Sequence, residues 1–184
     1  MKEIRIHARA GQGAITTSVL MAMAAFEEGR SALAFPHFGA ERMGAPMDAY
    51  LRLAEGDEEI RIRSQITNPD YIIVLDATLL EGFDVAEGLK PDGAAIINST
   101  KNPEGLRLKT EARVFTVPAT EIALETIGRP LGNTALIGAF AAATGEIGIE
   151  AVKNSVKARF PGRVGEANAQ AAQRAYDYIK GGSQ

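Results

Sequence analysis

Apolar and polar residues alternate at the start of the chain, in Lys2-Glu3-Ile4-Arg5-Ile6, with the two-residue period of a strand that buries one face. From Gly13 to Glu28 the period lengthens: Ile15, Val19, Ala22, Met23 and Phe26 recur at helical spacing before Gly29, which predicts an amphipathic helix packed on that stripe. A short strand ending at Phe35 follows, then a long loop from Pro36 to Pro46 whose glycines and prolines break any period. Alternation returns in Met47–Leu53 and again in Ile60–Arg63 across the polar turn Glu55-Gly56-Asp57-Glu58, which predicts an antiparallel pair.

Two continuous apolar runs come next, Tyr71-Ile72-Ile73-Val74-Leu75, closed by Asp76, and Ala94-Ala95-Ile96-Ile97-Asn98. Strands covered on both faces have this composition. Between them Thr78-Leu79-Leu80-Glu81 has the form of a capping box opening a short helix. A further strand, Arg113–Val117, gives way to helical segments near 120–126, 133–144, 149–160 and 166–179. The pattern predicts an α/β fold: one domain over residues 1–180, with a mixed, mostly parallel sheet flanked by helices in Rossmann-like layers. Its C-terminal third is helical, and residues 181–184 are expected to fray.

Composition narrows the function. With 184 residues, 46% of them hydrophobic and 23% charged, the chain can bury a sizeable core. A net charge of −3 with scattered basic residues argues against nucleic acid or an anionic membrane as partner. The most apolar helix, Thr134–Ala143, is shorter than the roughly 20 residues that span a bilayer, and the start lacks the order of a signal peptide, so a cytoplasmic location is expected. The absence of cysteine excludes disulfides, a thiol nucleophile and any iron–sulfur cluster held by cysteines of this chain.

The segment His7-Ala8-Arg9-Ala10-Gly11-Gln12-Gly13 joins the first strand to the first helix, where backbone N–H groups and the helix dipole can meet an anion. Such a turn also serves simply to fold a helix back on a sheet, and both possibilities stay open. Ala8 and Ala10 stand where a dinucleotide fingerprint needs glycine, and no acid closes the next strand, so nicotinamide binding is not expected. No Gly-x-Ser-x-Gly elbow is present. His7 and His37, 30 positions apart, give no metal-ligand spacing. Pro91-Asp92-Gly93 with Asn98-Ser99 lacks the glycine and the spacing of a thiamine diphosphate motif and is expected to be a turn. The loop Phe38–Pro46 places Glu41 and Arg42 between glycines, as a solvated turn or as an anion or subunit contact.

Four segments together, Arg9–Gly13, Phe38–Pro46, Pro69–Asp76 and Asn133–Ala139, resemble the gamma subunit of 2-oxoacid:ferredoxin oxidoreductases, in family order from about Ile4 to Phe160. The pyruvate enzymes are the nearest; branched-chain, aryl and 2-oxoglutarate enzymes stay open. The departures are Ala8 and Ala10 for glycine and Met43 for a second arginine. The resemblance implies a heterotetramer that decarboxylates a 2-oxoacid on thiamine diphosphate, passes electrons through iron–sulfur clusters to ferredoxin and transfers the acyl group to coenzyme A. Thiamine diphosphate, magnesium and the clusters would then sit on alpha, beta and delta-type partners. This chain would hold no cofactor alone and no catalytic residue, and would be inactive when isolated. Coenzyme A would lie at its surface, with Arg9, Gly11, Gln12, Gly13 and Arg42 as candidate contacts. The alternatives are a stand-alone nucleotide-binding or regulatory domain and a purely structural subunit of the same complex.

Overall fold

The structure, a computed structural model, describes residues 1–37, 45–56 and 58–182. The loop from Phe38 to Gly44, with Glu41 and Arg42, lies outside the described residues, as do the last two positions of the expected frayed end. Six strands form one sheet in the order β2-β3-β1-β4-β5-β6, where β1 is Lys2–Arg9, β2 Ser31–His37, β3 Pro46–Ala54, β4 Tyr71–Val74, β5 Ala94–Asn98 and β6 Arg113–Val117. Strands β1, β4, β5 and β6 run parallel, and β3 is antiparallel to both β1 and β2. The expected mixed α/β sheet and helical C-terminal third therefore form. No helix among the described residues is long and apolar enough to cross a membrane.

Alternate residues of each strand point to opposite faces. Ile4, Ile6, Leu51, Ile73 and Ile96 pack under the helices α1 (Ala14–Glu27), α2 (Ala119–Thr126), α3 (Asn133–Thr144), α4 (Ile149–Arg159) and α5 (Arg163–Gly181). On the other face Ile72, Val74, Ala95 and Ile97 are covered by Leu79, Val85, Ala86, Leu106 and Leu108 from the β4–β5 and β5–β6 connections. Continuous apolar runs are explained by this double cover, although the second layer is irregular chain with two short 3-10 turns, Ala77–Glu81 and Pro103–Gly105. The first turn is capped by Asp76, which accepts from the Thr78 N–H, and the expected capping box headed by Thr78 does not form.

Beneath β1 and β3 the second face becomes polar. Arg5 and Arg52, both buried, are cross-strand neighbours of Tyr50 and Glu3. Arg52 donates to Glu3 Oε1 at 2.8 Å, to the Ile62 carbonyl at 2.7 Å and to the Ser64 carbonyl at 3.0 Å. Arg5 donates to the carbonyls of Ile66, Val85 and Glu87. Irregular chain is thus fastened to the sheet by side-chain donors that fill its backbone acceptors. The expected pairing of Met47–Leu53 with Ile60–Arg63 is overturned here: β1 and β2 occupy both edges of β3, and residues 60–63 form no strand. Ile62 is 54% exposed, so its alternation with arginines marks no buried face.

Helix α1 keeps part of the expected stripe inward, with Ala22 buried and Met23 half-buried against the core, and turns the rest outward. Its core-facing residues are Ala14, Thr17, Ser18, Leu20, Met21, Ala22, Ala24 and Ala25, whereas Ile15, Val19 and Phe26 are exposed. The helix carries no charge before Glu27 to mark an outer face, and its buried side combines Leu20 and Met21 with small residues. Helices α3 and α5 also approach closely: a Cβ on Gly138 would meet the Ala172 carbonyl oxygen at 1.9 Å.

Gly138→Ala is expected to cost about 2–3 kcal/mol by overpacking, lowering the melting temperature by about 4–12 °C. Gly181→Ala, with open space around it, should stay within about 0.5 kcal/mol of wild type; equal melting temperatures for all three proteins would contradict the close approach. Arg5→Met should destabilise by about 3 kcal/mol and speed amide exchange around residues 62–66 and 85–87, with unchanged exchange there counting against the fastening role.

Candidate functional site

The chain leaves β1 through α1 over one face of the sheet, while the β4–β5 and β5–β6 connections cross the other. The carboxyl ends of β1 and β4 are therefore a switch point, where open α/β sheets bind ligands. His7, Ala8 and Arg9 belong to β1, so the turn is confined to Ala10–Gly13. Gly11 and Gly13 have φ of 95° and 88°, left-handed values that favour glycine. Among the described residues no other type takes a positive φ, so Ala8 and Ala10 sit in ordinary backbone and the turn is not strained by the absent glycines.

Gln12 holds the turn in place. Its Oε1 accepts from the Arg9 backbone N–H at 2.7 Å, and its Nε2 donates to Asp76 Oδ2 at 2.8 Å. Asp76 Oδ1 accepts from the Thr78 N–H and hydroxyl. Burial alone would raise the Asp76 carboxyl, but hydrogen bonds from Thr78 and Gln12 and the charge of Arg9 outweigh it and hold the group below its usual range. The Arg9 guanidinium lies 3.3 Å from Asp76 and donates to Thr78 Oγ1 at 3.0 Å.

Beside the turn is a cavity of about 610 Å3. Gly11, Gln12, Gly13 and Thr16 form one wall, Arg129, Leu131 and Asn133 a second, and Arg163, Val164 and Asn168 a third. The N-termini of α1, α3 and α5 converge on it, each preceded by glycine (Gly13, Gly132 and Gly162) and each without a side-chain cap hydrogen bond. Gly13 makes the approach of α1 to α3 possible, since a Cβ there would lie 3.2 Å from Asn133 Nδ2. Arg129 and Arg163 are exposed and form no ion pair among the described residues, and no acidic residue lines the cavity. Glu166 in the first turn of α5 is paired with Lys157 at 2.9 Å. Uncapped helix starts and guanidinium groups without a competing carboxylate have the chemistry to attract an anion.

The structure thus brings Gly11, Gln12 and Gly13 to one cavity and sets the Arg9 guanidinium against Asp76 and Thr78 instead of among the residues that line it. Sequence reasoning missed Arg129 and Arg163, although Gly132 and Gly162 directly before helix starts, with no Ser, Thr, Asp or Asn at the cap, were a usable signal. It also missed a cleft of about 410 Å3 on the polar face, where His7 and His37 flank Asp48 in cross-strand register. Arg5 Nε and the Val85 carbonyl both lie 3.1 Å from His7 Nε2, and His7 Nδ1 is hydrogen-bonded to Asp48 Oδ1 at 2.7 Å. Burial would raise the Asp48 carboxyl; the His7 hydrogen bond and the nearby His7, Arg5 and His37 charges leave it lowered. Among the described residues no group of three or more ligand side chains could hold a metal ion.

Known proteins match nearly the whole chain. Residues 3–178 match the model of the pyruvate ferredoxin/flavodoxin oxidoreductase family. The pyruvate synthase subunit PorC of Methanosarcina barkeri is 55% identical over 181 residues, 98% of each chain. The common gamma subunit of the pyruvate/ketoisovalerate oxidoreductases of Pyrococcus abyssi is 49% identical over 96% of each chain. The crystal structure of pyruvate oxidoreductase subunit PORC from Thermotoga maritima superimposes with a TM-score of 0.85 at 38% identity, covering 96% of this chain and 95% of that one. The chain belongs to the pyruvate ferredoxin/flavodoxin oxidoreductase family, as one of its gamma-type subunits.

Proposed function

We propose that this chain serves a pyruvate:ferredoxin oxidoreductase by holding the phosphate-bearing half of coenzyme A. The observation that carries the proposal is the cavity where three uncapped helix N-termini meet Arg129 and Arg163 with no acid in its walls. Coenzyme A brings a pyrophosphate and a ribose phosphate, and its remaining arm is uncharged. Backbone N–H groups and guanidinium groups bind phosphate oxygens through short charge-assisted hydrogen bonds. Gly11 and Gly13 allow the backbone to approach the ligand without an intervening side chain.

In the complete reaction a 2-oxoacid loses carbon dioxide, two electrons pass singly to ferredoxin, and the acyl group is taken by the coenzyme A thiol with release of its proton. Thiamine diphosphate with magnesium would supply the carbanion chemistry, and iron–sulfur clusters the electron path, on alpha, beta and delta-type partners. The contribution of this chain is to bind and orient the acyl acceptor. Gln12, clamped by Asp76, fixes the turn before the ligand arrives, so little ordering is left to be done on binding. A cytoplasmic location and a heterotetrameric assembly accord with this role.

Calorimetric titration of the assembled enzyme with coenzyme A tests the proposal. Loss of a charged hydrogen bond costs about 1.5–3 kcal/mol, so Arg163→Glu or Arg129→Glu should weaken binding about 10- to 100-fold. The effect should shrink as salt is raised. A purely scaffolding subunit would leave affinity unchanged in both variants, and that result would refute coenzyme binding here.

A further inference from the structure

Strand β2 closes one edge of the sheet, pairing with β3 and with no other strand among the described residues. The Ser31 N–H bonds to the Gly56 carbonyl, just past the end of β3, and so points inward. Alternation along the strand then turns the N–H and C=O groups of Leu33 and Phe35 toward β3 and those of Ala32 and Ala34 outward. Pro36 fits this phase, because its missing N–H falls on the outward side, where an edge strand accepts proline. Among the described residues no hydrogen bond reaches the outward groups of Ala32 and Ala34. Edge strands are ordinarily shielded by charged side chains, bulges or covering chain. From Ser31 to Phe35 this strand has no charge, and its register with β3 runs without a bulge.

We infer that β2 pairs antiparallel with β2 of a second copy of this chain, about a two-fold axis at Leu33, joining the two sheets into one. The pairing is independent of coenzyme binding. The segment is complementary to itself: in this register the outward groups of Ala32 meet those of Ala34 in the second copy, and the reverse, so every one of them finds a partner. The ladder also ends at the same place on both sides. Pro36 has no N–H to offer, and the Arg30 N–H that would face it is already bonded to the Ala25 carbonyl. The axis brings the His37 end of one strand to the exposed Glu27 and Glu28 that precede the other, so imidazole meets carboxylates instead of carboxylates meeting each other.

The helix face adds apolar contact. Helix α1 packs on β2 and β3, and its exposed Ile15, Val19 and Phe26 fall within an arc of about 40° at 3.6 residues per turn. They lie roughly a quarter turn from Glu27, which accepts from Asn154 of α4, so α4 leaves them uncovered. A two-fold axis normal to the sheet sets both α1 helices on the same face, antiparallel, above central strands about 4.8 Å apart. Their open stripes then cover one another across the axis, the same patch serving both copies.

The chain has no cysteine, so a single introduced thiol is a position-specific probe. Opposed residues of an antiparallel pair lie about 4.5–5.5 Å apart at Cα, within disulfide range. In the assembled enzyme, Leu33→Cys treated with a thiol-specific oxidant should give a disulfide-linked band at twice the 19.5 kDa chain mass. Leu124→Cys, exposed on α2, should give none. Adding Ala34→Pro, which removes an outward N–H and spares the bonds to β3, should abolish the doubled band while the assembly still forms. Amide exchange of the unsubstituted enzyme reads the same contact without any variant: Ala32 and Ala34 should be protected as strongly as Leu33 and Phe35. Absence of the doubled band, equal bands from Leu33→Cys and Leu124→Cys, a link from Leu33→Cys to an unlike subunit, or fast exchange at Ala32 and Ala34 would each overturn the pairing.

Discussion

One side-chain amide ties the functional end of this protein together. Gln12 accepts from the backbone of the strand it follows and donates to Asp76 at the end of the neighbouring parallel strand. Its two hydrogen bonds span the switch point, where the chain changes the face of the sheet over which it connects. The position of the turn fixes where α1 begins, and Gly13 lets that beginning lie against Asn133 at the start of α3. The convergence of helix N-termini depends on this placement. With the clamp partly buried, each bond counts for more than a surface contact, because an unmade one would leave a polar group in a low dielectric.

The two faces of the sheet divide the work of stability. Under the helices the core is aliphatic, with Gly138 allowing α3 and α5 to come within backbone contact. On the other face the apolar cover is thinner, and Arg5 and Arg52 hold irregular chain in place through its carbonyls. Local hydrogen bonding replaces regular structure there.

Much of the fold was legible in the sequence. The continuous runs at Tyr71–Leu75 and Ala94–Asn98 marked covered parallel strands, and the C-terminal helices lie within a few residues of their expected spans. Two local patterns misled for identifiable reasons. Alternation in Ile60–Arg63 comes from arginines flanking a solvent-exposed isoleucine, and pairing required an edge that β3 does not have. In α1, Ile15, Val19 and Phe26 recur at helical spacing on the outward side, and no charge before Glu27 marks that side as solvent-facing. The glycine turn was visible from spacing alone, but the rest of the cavity comes from around residues 126–133 and 160–168. Those residues meet only after the helices pack, and no local period records that meeting. Gln12 was visible as part of the turn; its clamp to Asp76 was not, because the two lie 64 residues apart on adjacent strands.

The central claim is that the anionic half of coenzyme A sits where α1, α3 and α5 begin. Amide hydrogen exchange of the assembled enzyme, with and without coenzyme A, tests it most directly. Protection should rise at residues 11–16, 129–134 and 162–166 while the opposite ends of the same helices stay unchanged. Binding of the coenzyme with no added protection in those three segments would contradict the account.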